Sequence, residues 1–422
     1  MLLFSALTHQ KQYFWLPNFG SKDTLKRMPI TNTRWDIFCK VIDHYGDIGV
    51  SWRLATQLAK EYSISVRLWV DRPKILAHIC SCYQPNEANQ TIAIKDSNHT
   101  IEVCAWPNNN QKIDQVADFV VAMFGCLLPG AYFDAMRLNP PIGWYNLEYL
   151  SAETWVDAYH GMDSIKPNIS LKQRFFIPGF SEKSGGLLRE KNLLAKRDNW
   201  QACPKNSQAL FKKLDLPIND TPTLYASVFC YPTPALVSLL QAWTHHKTPI
   251  TAFVPLTSAK SIKAWLGQPP KASLLLQKGS LTLKILPFVD QEDFTHLLWS
   301  CDLNIVRGED SFVSALWAAK PFIWHIYPQR DATHLVKLNA FLDKYSHRLD
   351  KKAAAIWQSM QHNFNCHQPV GKLWPLFWSY QKTFLKHAKE WSHEQQKLDD
   401  LVTKLINDAQ SKSDNQLPRF LI

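Results

Sequence analysis

The chain has 422 residues and a mass of 48.6 kDa, which at roughly 150 residues per domain makes two or three domains. Hydrophobic residues make up 46% and charged residues 20%, the balance of a packed globular protein and not of a disordered one. Lysine and arginine (47) outnumber aspartate and glutamate (36), a net charge of +11; nucleic acid, a membrane surface, an acidic protein and a phosphorylated small molecule would all suit it.

No apolar run approaches the ~20 residues of a membrane helix. The opening MLLFSALTHQKQYF has neither the charged start nor the cleavage site of a secretory signal. Nine cysteines form no C-x-x-C pair, only Cys80-x-Cys82. Cys39, Cys104, Cys126, Cys230 and Cys301 sit in or beside apolar runs, where a thiol acts as a small hydrophobe. The expectation is a reduced, cytoplasmic protein without a zinc site.

Residues 1–33 lack periodicity and are read as an N-terminal extension, either disordered or upstream of a true start at Met28. WDIFCKV (35–41) then predicts a buried strand, IDHYGDIG (42–49) a turn, and Ile48, Trp52, Ala55, Leu58, Ala59 and Tyr62 the apolar face of a helix. ISVRLWV (64–70), IEVCAW (101–106), DFVVAMFG (118–125) and PIGWYNLEYL (141–150) continue the strands of a parallel sheet. Polar, basic residues 181–215 read as loop and linker. A second series follows: strands at 223–231, 250–255, 281–288, 302–306 and 321–326, helices at 235–243, 290–301 and 311–319, and a helical tail from about 370 to 410. Asp290 is the expected N-cap of its helix. In open α/β sheets ligands bind beyond the carboxyl ends of the strands, so the cleft between two such units is the default site.

Three motifs fall there. Asp43 and Asp47 lie four residues apart in a Gly-bearing turn, either a pair that binds and deprotonates a nucleophile or a turn former and an N-cap. The turn lacks G-x-G-x-x-G, so a dinucleotide fingerprint is unsupported. Arg307-Gly308-Glu309-Asp310-Ser311 follows a strand and opens a helix, which suits a phosphate, although two acids there suit hydroxyls better unless only backbone N–H groups face the phosphate. Phe288 and Phe294 flank a polar turn and either sandwich a nucleobase, with Gln291 reading its edge, or are core. His325 and Tyr327 are open in the same way, and Gln329-Arg330-Asp331 reads as an exposed polar turn. No H-E-x-x-H, G-x-S-x-G or Walker A sequence is present.

RWDIFCKVIDHYGDIGVSWRLATQLA (34–59), FFIPGFSEKSGGLLRE (175–190) and the stretch from Pro287 to Gln329 closely resemble the bacterial protein-arginine rhamnosyltransferases of elongation factor P, the EarP family. The resemblance implies an α/β protein with the GT-B glycosyltransferase fold, two Rossmann-like domains facing a cleft. They would be an acceptor domain at 34–205, with a C-terminal helix at about 388–410 packing back on it, and a nucleotide-sugar domain at 206–387. It implies an inverting transfer of L-rhamnose from dTDP-β-L-rhamnose to an arginine of elongation factor P, relieving ribosomes stalled on polyproline, with no metal or other cofactor. Asp43 and Asp47 match the catalytic carboxylates, Asp47 the base. Phe229 and Tyr231 match donor-site aromatics, and Phe288, Gln291 and Phe294 the thymine pocket. Arg307, Glu309, Asp310 and Ser311 match the diphosphate and ribose region, Glu309 also counting among the catalytic acids.

Two other readings compete. A metal-independent GT-B transferase acting on a lipid or glycan would use the basic surplus at a membrane, but Glu390, Glu394, Asp399, Asp400 and Asp408 interrupt the tail's bases. An RNA-binding protein would need an RNP-like or basic-aromatic run, and none is present. Nucleic acid and membrane are therefore not expected partners.

Overall fold

Trp35, Ile37, Phe38 and Cys39 are fully buried because their strand, β1 (Arg34–Cys39), runs through the middle of a sheet covered on both faces. The structure, a computed structural model, describes residues 30–87, 89–165, 171–219 and 221–416. Most of the expected N-terminal extension lies outside the described residues.

The first sheet adds β2 (Ser65–Val70), β3 (Gln90–Ala93), β4 (Thr100–Ala105), β5 (Phe119–Met123), β6 (Gly143–Leu147), β7 (Asp163–Ile165) and β8 (Lys172–Phe176), in the order β3-β4-β2-β1-β5-β6-β8-β7. Its centre is parallel and its two edge pairs, β3/β4 and β7/β8, are antiparallel. β3, β7 and β8 are additions to the expected strands; β3 and β7 are short polar edge strands, and β8, next to the edge, opens on three polar residues, so none has a long apolar run to announce it.

The second sheet comprises β9 (Leu224–Val228), β10 (Ile250–Pro255), β11 (Leu275–Lys278), β12 (Leu281–Leu286), β13 (Leu303–Arg307) and β14 (Phe322–His325), in the order β11-β12-β10-β9-β13-β14. In both sheets the chain moves outward on one side of its first strand and then returns to the other. That puts a topological switch point beside β1 and another beside β9, where crevices open.

Residues 193–213, expected as linker, form two helices, Leu193–Ala202 and Pro204–Lys213. They hide a narrow apolar stripe of Leu194, Leu210 and Phe211, and both pack on the second unit's helix Gln291–Ser300, the first of them ahead of the expected 205/206 boundary. Trp200 stacks on His296 at 3.9 Å. The tail is three helices, Trp374–Ser379, Gln381–Gln396 and Leu401–Gln416. Phe384 of the second joins the core of the second unit. The last helix returns to the first, where Leu401, Val402, Leu405, Ile406 and Ala409 enter its core. No described helix is long and apolar enough to cross a membrane.

Candidate active site

The first helix, His44–Tyr62, begins beyond the carboxyl end of β1 and takes in most of the expected turn. Asp43 holds the cap position, but its side chain makes no cap bond. Asp47, one turn in, reaches back to the residues before the helix: its Oδ2 accepts the N–H groups of Ile42 and Asp43 at 2.7 and 2.9 Å. Asp47 is buried. Burial, reinforced by the nearby charges of Asp43 and Glu309, raises its carboxyl from 3.8 to about 6 against the two backbone donors. Its Oδ1 is left for the cleft, with the Tyr149 hydroxyl at 3.4 Å.

Four strands of the second sheet end opposite. After β9, Phe229 and Tyr231 form a box under the Arg307 guanidinium, which lies 4.3 and 4.9 Å from their ring centres. The Tyr231 hydroxyl crosses the cleft and donates to Asp43 Oδ2 at 2.5 Å. After β13, Gly308 takes the left-handed conformation (φ +60°), and a Cβ there would stand 2.8 Å from Asp43 Oδ2. Glycine suits this left-handed turn, where the backbone comes close to the Asp43 carboxylate and the Tyr231 hydroxyl. The helix Asp310–Ala318 starts next, its first N–H groups unused by the helix itself. Ser311 Oγ accepts from the Arg307 N–H at 3.0 Å and donates to its carbonyl at 2.5 Å, pinning Arg307 to the helix start.

The two acids that sat awkwardly beside a phosphate are turned away from it. Glu309 reaches across the cleft to accept from the Leu150 N–H at 2.9 Å and pairs with Lys337 at 2.7 Å. Asp310 pairs with Arg53 at 2.7 Å and accepts from Gln291 at 3.1 Å. What remains at the turn for an anion is Arg307 and backbone N–H.

Phe288 and Phe294 face different neighbours. Phe288 lies at the mouth of the cleft, 56% exposed, with Tyr45 and His78 of the first unit at 6.2 and 5.4 Å. Phe294 turns inward onto Phe229 at 5.5 Å. The expected Asp290 cap is present, its carboxylate accepting from the Asp293 N–H at 2.8 Å. His325 is buried and flanked by Tyr231 at 5.4 Å, with burial lowering its pKa to about 3; a neutral, packed ring is the core alternative of the sequence reading.

Between the units lies a cavity of about 210 Å³, lined by Asp43, Asp47, Tyr149, Glu309, Tyr327, His334 and Lys337 among others. Tyr149, Lys337 and Arg53 are missing from the sequence-derived set. Tyr149 follows the end of β6, and Arg53 is a cation in the middle of the first helix, set between the apolar Trp52 and Leu54. Those positions were the available signals. Lys337 carries none, since only the tertiary fold brings it to Glu309.

A model described as the elongation factor P rhamnosyltransferase EarP matches residues 35–410. The protein-arginine rhamnosyltransferase of Pseudomonas putida is 41% identical over 376 residues, covering 88% of this chain and 97% of that one. Its namesake from Pseudomonas aeruginosa is 39% identical over 375 residues, with the same coverage. A structure solved to explain EarP-mediated arginine glycosylation of translation elongation factor EF-P matches with a TM-score of 0.65 and 31% identity, over 90% of this chain and 99% of that one. The two Rossmann-like sheets about one cleft are the GT-B fold, and the chain belongs to the EarP family of protein-arginine rhamnosyltransferases.

Proposed function

We propose that the protein transfers L-rhamnose from dTDP-β-L-rhamnose to one arginine of elongation factor P, with inversion at the anomeric carbon. The observation that carries this is the pairing across one cleft: Asp43 and Asp47 on the first unit, and the Arg307–aromatic box with its helix start on the second.

A guanidinium is a poor nucleophile because its charge is delocalised and its pKa exceeds about 12. One carboxylate must orient it and another accept a proton as the new bond forms. Asp43 suits the first role and Asp47 the second. A carboxyl raised to about 6 is a better base than an ordinary aspartate and is still ionised at neutral pH. In this reading a guanidine nitrogen attacks the anomeric carbon from the face opposite the diphosphate. The carbon–oxygen bond breaks, dTDP leaves with the electron pair, and the nitrogen's proton passes to Asp47 Oδ1. Arg307 and the N–H groups opening the helix Asp310–Ala318 meet the charge that develops on the leaving diphosphate. No resident cofactor is assigned a step. Glu309 is a catalytic candidate through its place in the cavity. Phe229, Tyr231, Phe288, Gln291 and Phe294 are the candidates for the thymidine, and Ser311 and Asp310 support the phosphate turn. All nine cysteines are free, which fits the cytoplasm, where a translation factor would be met.

Intact-mass analysis of elongation factor P incubated with the protein and dTDP-L-rhamnose tests the reading. The expected result is a gain of one deoxyhexose, removed by Arg→Lys substitution at the acceptor position. An unmodified factor, or a label found only on lipid or glycan, overturns it.

A further inference from the structure

One face of the first helix carries Gly46, Gly49 and Arg53 at spacings of three and four residues, and this stripe meets the second unit. Gly49 lets the other unit's turn come close, and Gly46 leaves room for the Asp43 carboxylate at the start of its own helix. A Cβ at Gly46 would stand 2.9 Å from Asp43 Oδ2, and one at Gly49 would stand 2.8 Å from Asp310 Oδ2. At the end of the stripe Arg53 is 8% exposed. It grips Glu190 with two donors, Nε–Oε1 at 2.6 Å and Nη2–Oε2 at 2.9 Å. Its remaining arm, Nη1, reaches Asp310 Oδ1 at 2.7 Å and lies 3.4 Å from Ser314 Oγ. Glu190 belongs to the segment that leads into the second unit, and Asp310 opens the helix against which the phosphates would sit.

The chain of contacts continues. The other oxygen of Asp310 accepts from Gln291 Nε2 at 3.1 Å. A carboxylate can only accept, so this bond commits the amide nitrogen of Gln291 and leaves its Oε1 as the end free to meet a ligand. A single guanidinium on the acceptor-side helix thereby fixes two features of the donor side. It keeps the carboxylate of Asp310 turned away from the phosphate turn, and it sets which end of Gln291 faces outward.

We propose that Arg53 is a positioning residue for the nucleotide donor: through Asp310 and Gln291 it assembles the donor site when the two units close on each other. This rests on the donor reading given above. It answers the difficulty raised by two acids beside a diphosphate, because the nearer acid is neutralised by a residue from the opposite unit. It also ties the position of the helix that bears Asp43 and Asp47 to the donor-binding turn. A guanidinium suits the task, since its planar fork can hold one carboxylate with two donors and keep a third for another. Lysine offers a single point of charge and cannot satisfy both acids in that geometry.

The test is calorimetry with dTDP on the full-length protein, joined to steady-state kinetics and thermal melting, for wild type, Arg53→Ala and Arg53→Lys. Loss of a buried charge partner predicts dTDP affinity weakened by about tenfold or more in Arg53→Ala. The donor KM should rise by a similar factor while the acceptor KM stays within about twofold of wild type. Arg53→Lys is expected to fold and to recover part of the affinity. A folded Arg53→Ala protein with wild-type dTDP affinity overturns the proposal and leaves Arg53 a staple between units. If the alanine variant does not fold, the lysine variant decides, and wild-type affinity there overturns the proposal equally. Wild type that binds dTDP but leaves elongation factor P unmodified refutes the acceptor reading alone. Wild type that binds no dTDP refutes the donor reading and the Arg53 role together.

Discussion

Replacing Asp47 with asparagine separates what this side chain does for the fold from what it does in the reaction. The amide keeps an oxygen able to accept the N–H groups of Ile42 and Asp43, now held at 2.7 and 2.9 Å, so the start of the first helix is retained. Only the charge is lost. Burial chiefly, helped by Asp43 and Glu309, has raised the carboxyl from 3.8 to about 6, which corresponds to about 3 kcal/mol spent on keeping it ionised at neutral pH. Because the folded protein binds this proton more tightly than the unfolded chain, stability falls as pH rises from about 4 to about 6 and stays at its lower level above that. Asp47→Asn is therefore expected to melt no lower than wild type at pH 7.5, with a gain of up to about 3 kcal/mol that vanishes below about pH 4. A base must be ionised, so the wild-type rate rises with pH through about 6 and then levels off, and the variant loses about 10²–10⁴-fold in kcat. Rates of mass gain on elongation factor P from pH 5 to 8 test this, beside calorimetric melting at both pH extremes and dTDP titration. A variant that keeps more than a tenth of kcat refutes the base assignment, as does a flat wild-type profile. Lost dTDP binding moves Asp47 to the donor side.

Other substitutions probe the rest of the cleft. Arg307→Ala removes the cation held over Phe229 and Tyr231 and is expected to weaken dTDP binding by about 10–100-fold; unchanged affinity in calorimetry excludes it from the phosphate site. Lys337→Met strips Glu309 of its partner at 2.7 Å and should lower kcat by about tenfold or more while dTDP affinity holds; a matching loss of dTDP affinity would move the pair to the donor side. Gly49→Ala favours the helix by about 1 kcal/mol but pushes a methyl to 2.8 Å from Asp310 Oδ2. The expected protein melts no lower than wild type yet has a raised donor KM, and wild-type kinetics would show that Asp310 can move without consequence.

Much of this fold is legible in the sequence because its central strands are buried on both faces. RWDIFC, LYASV and LNIVR are rich in apolar, β-branched and aromatic residues, broken by the buried polar Asp36, Ser227 and Asn304, the pattern of parallel strands under two layers of helix. The cap at Asp290 is legible for a similarly local reason: one carboxylate, three residues before the N–H it takes. Contacts made only by the tertiary fold leave no such trace. Lys337 meets Glu309, and Leu150 donates to it, across 28 and 159 residues of sequence.

The misreading of residues 42–49 has a different cause. Two glycines and two aspartates are poor helix formers, and by propensity the segment is a turn. From His44 onward it is nevertheless the first part of a 19-residue helix. Gly49 is there because the other unit's turn needs the space a Cβ would occupy, against Asp310, and Gly46 because the Asp43 carboxylate folds over the helix start at that point. Asp47 is there although burial makes its charge costly. Each departure from local preference thus falls on the face where the two units meet, and a helix optimised for its own stability would remove both the closure and the base.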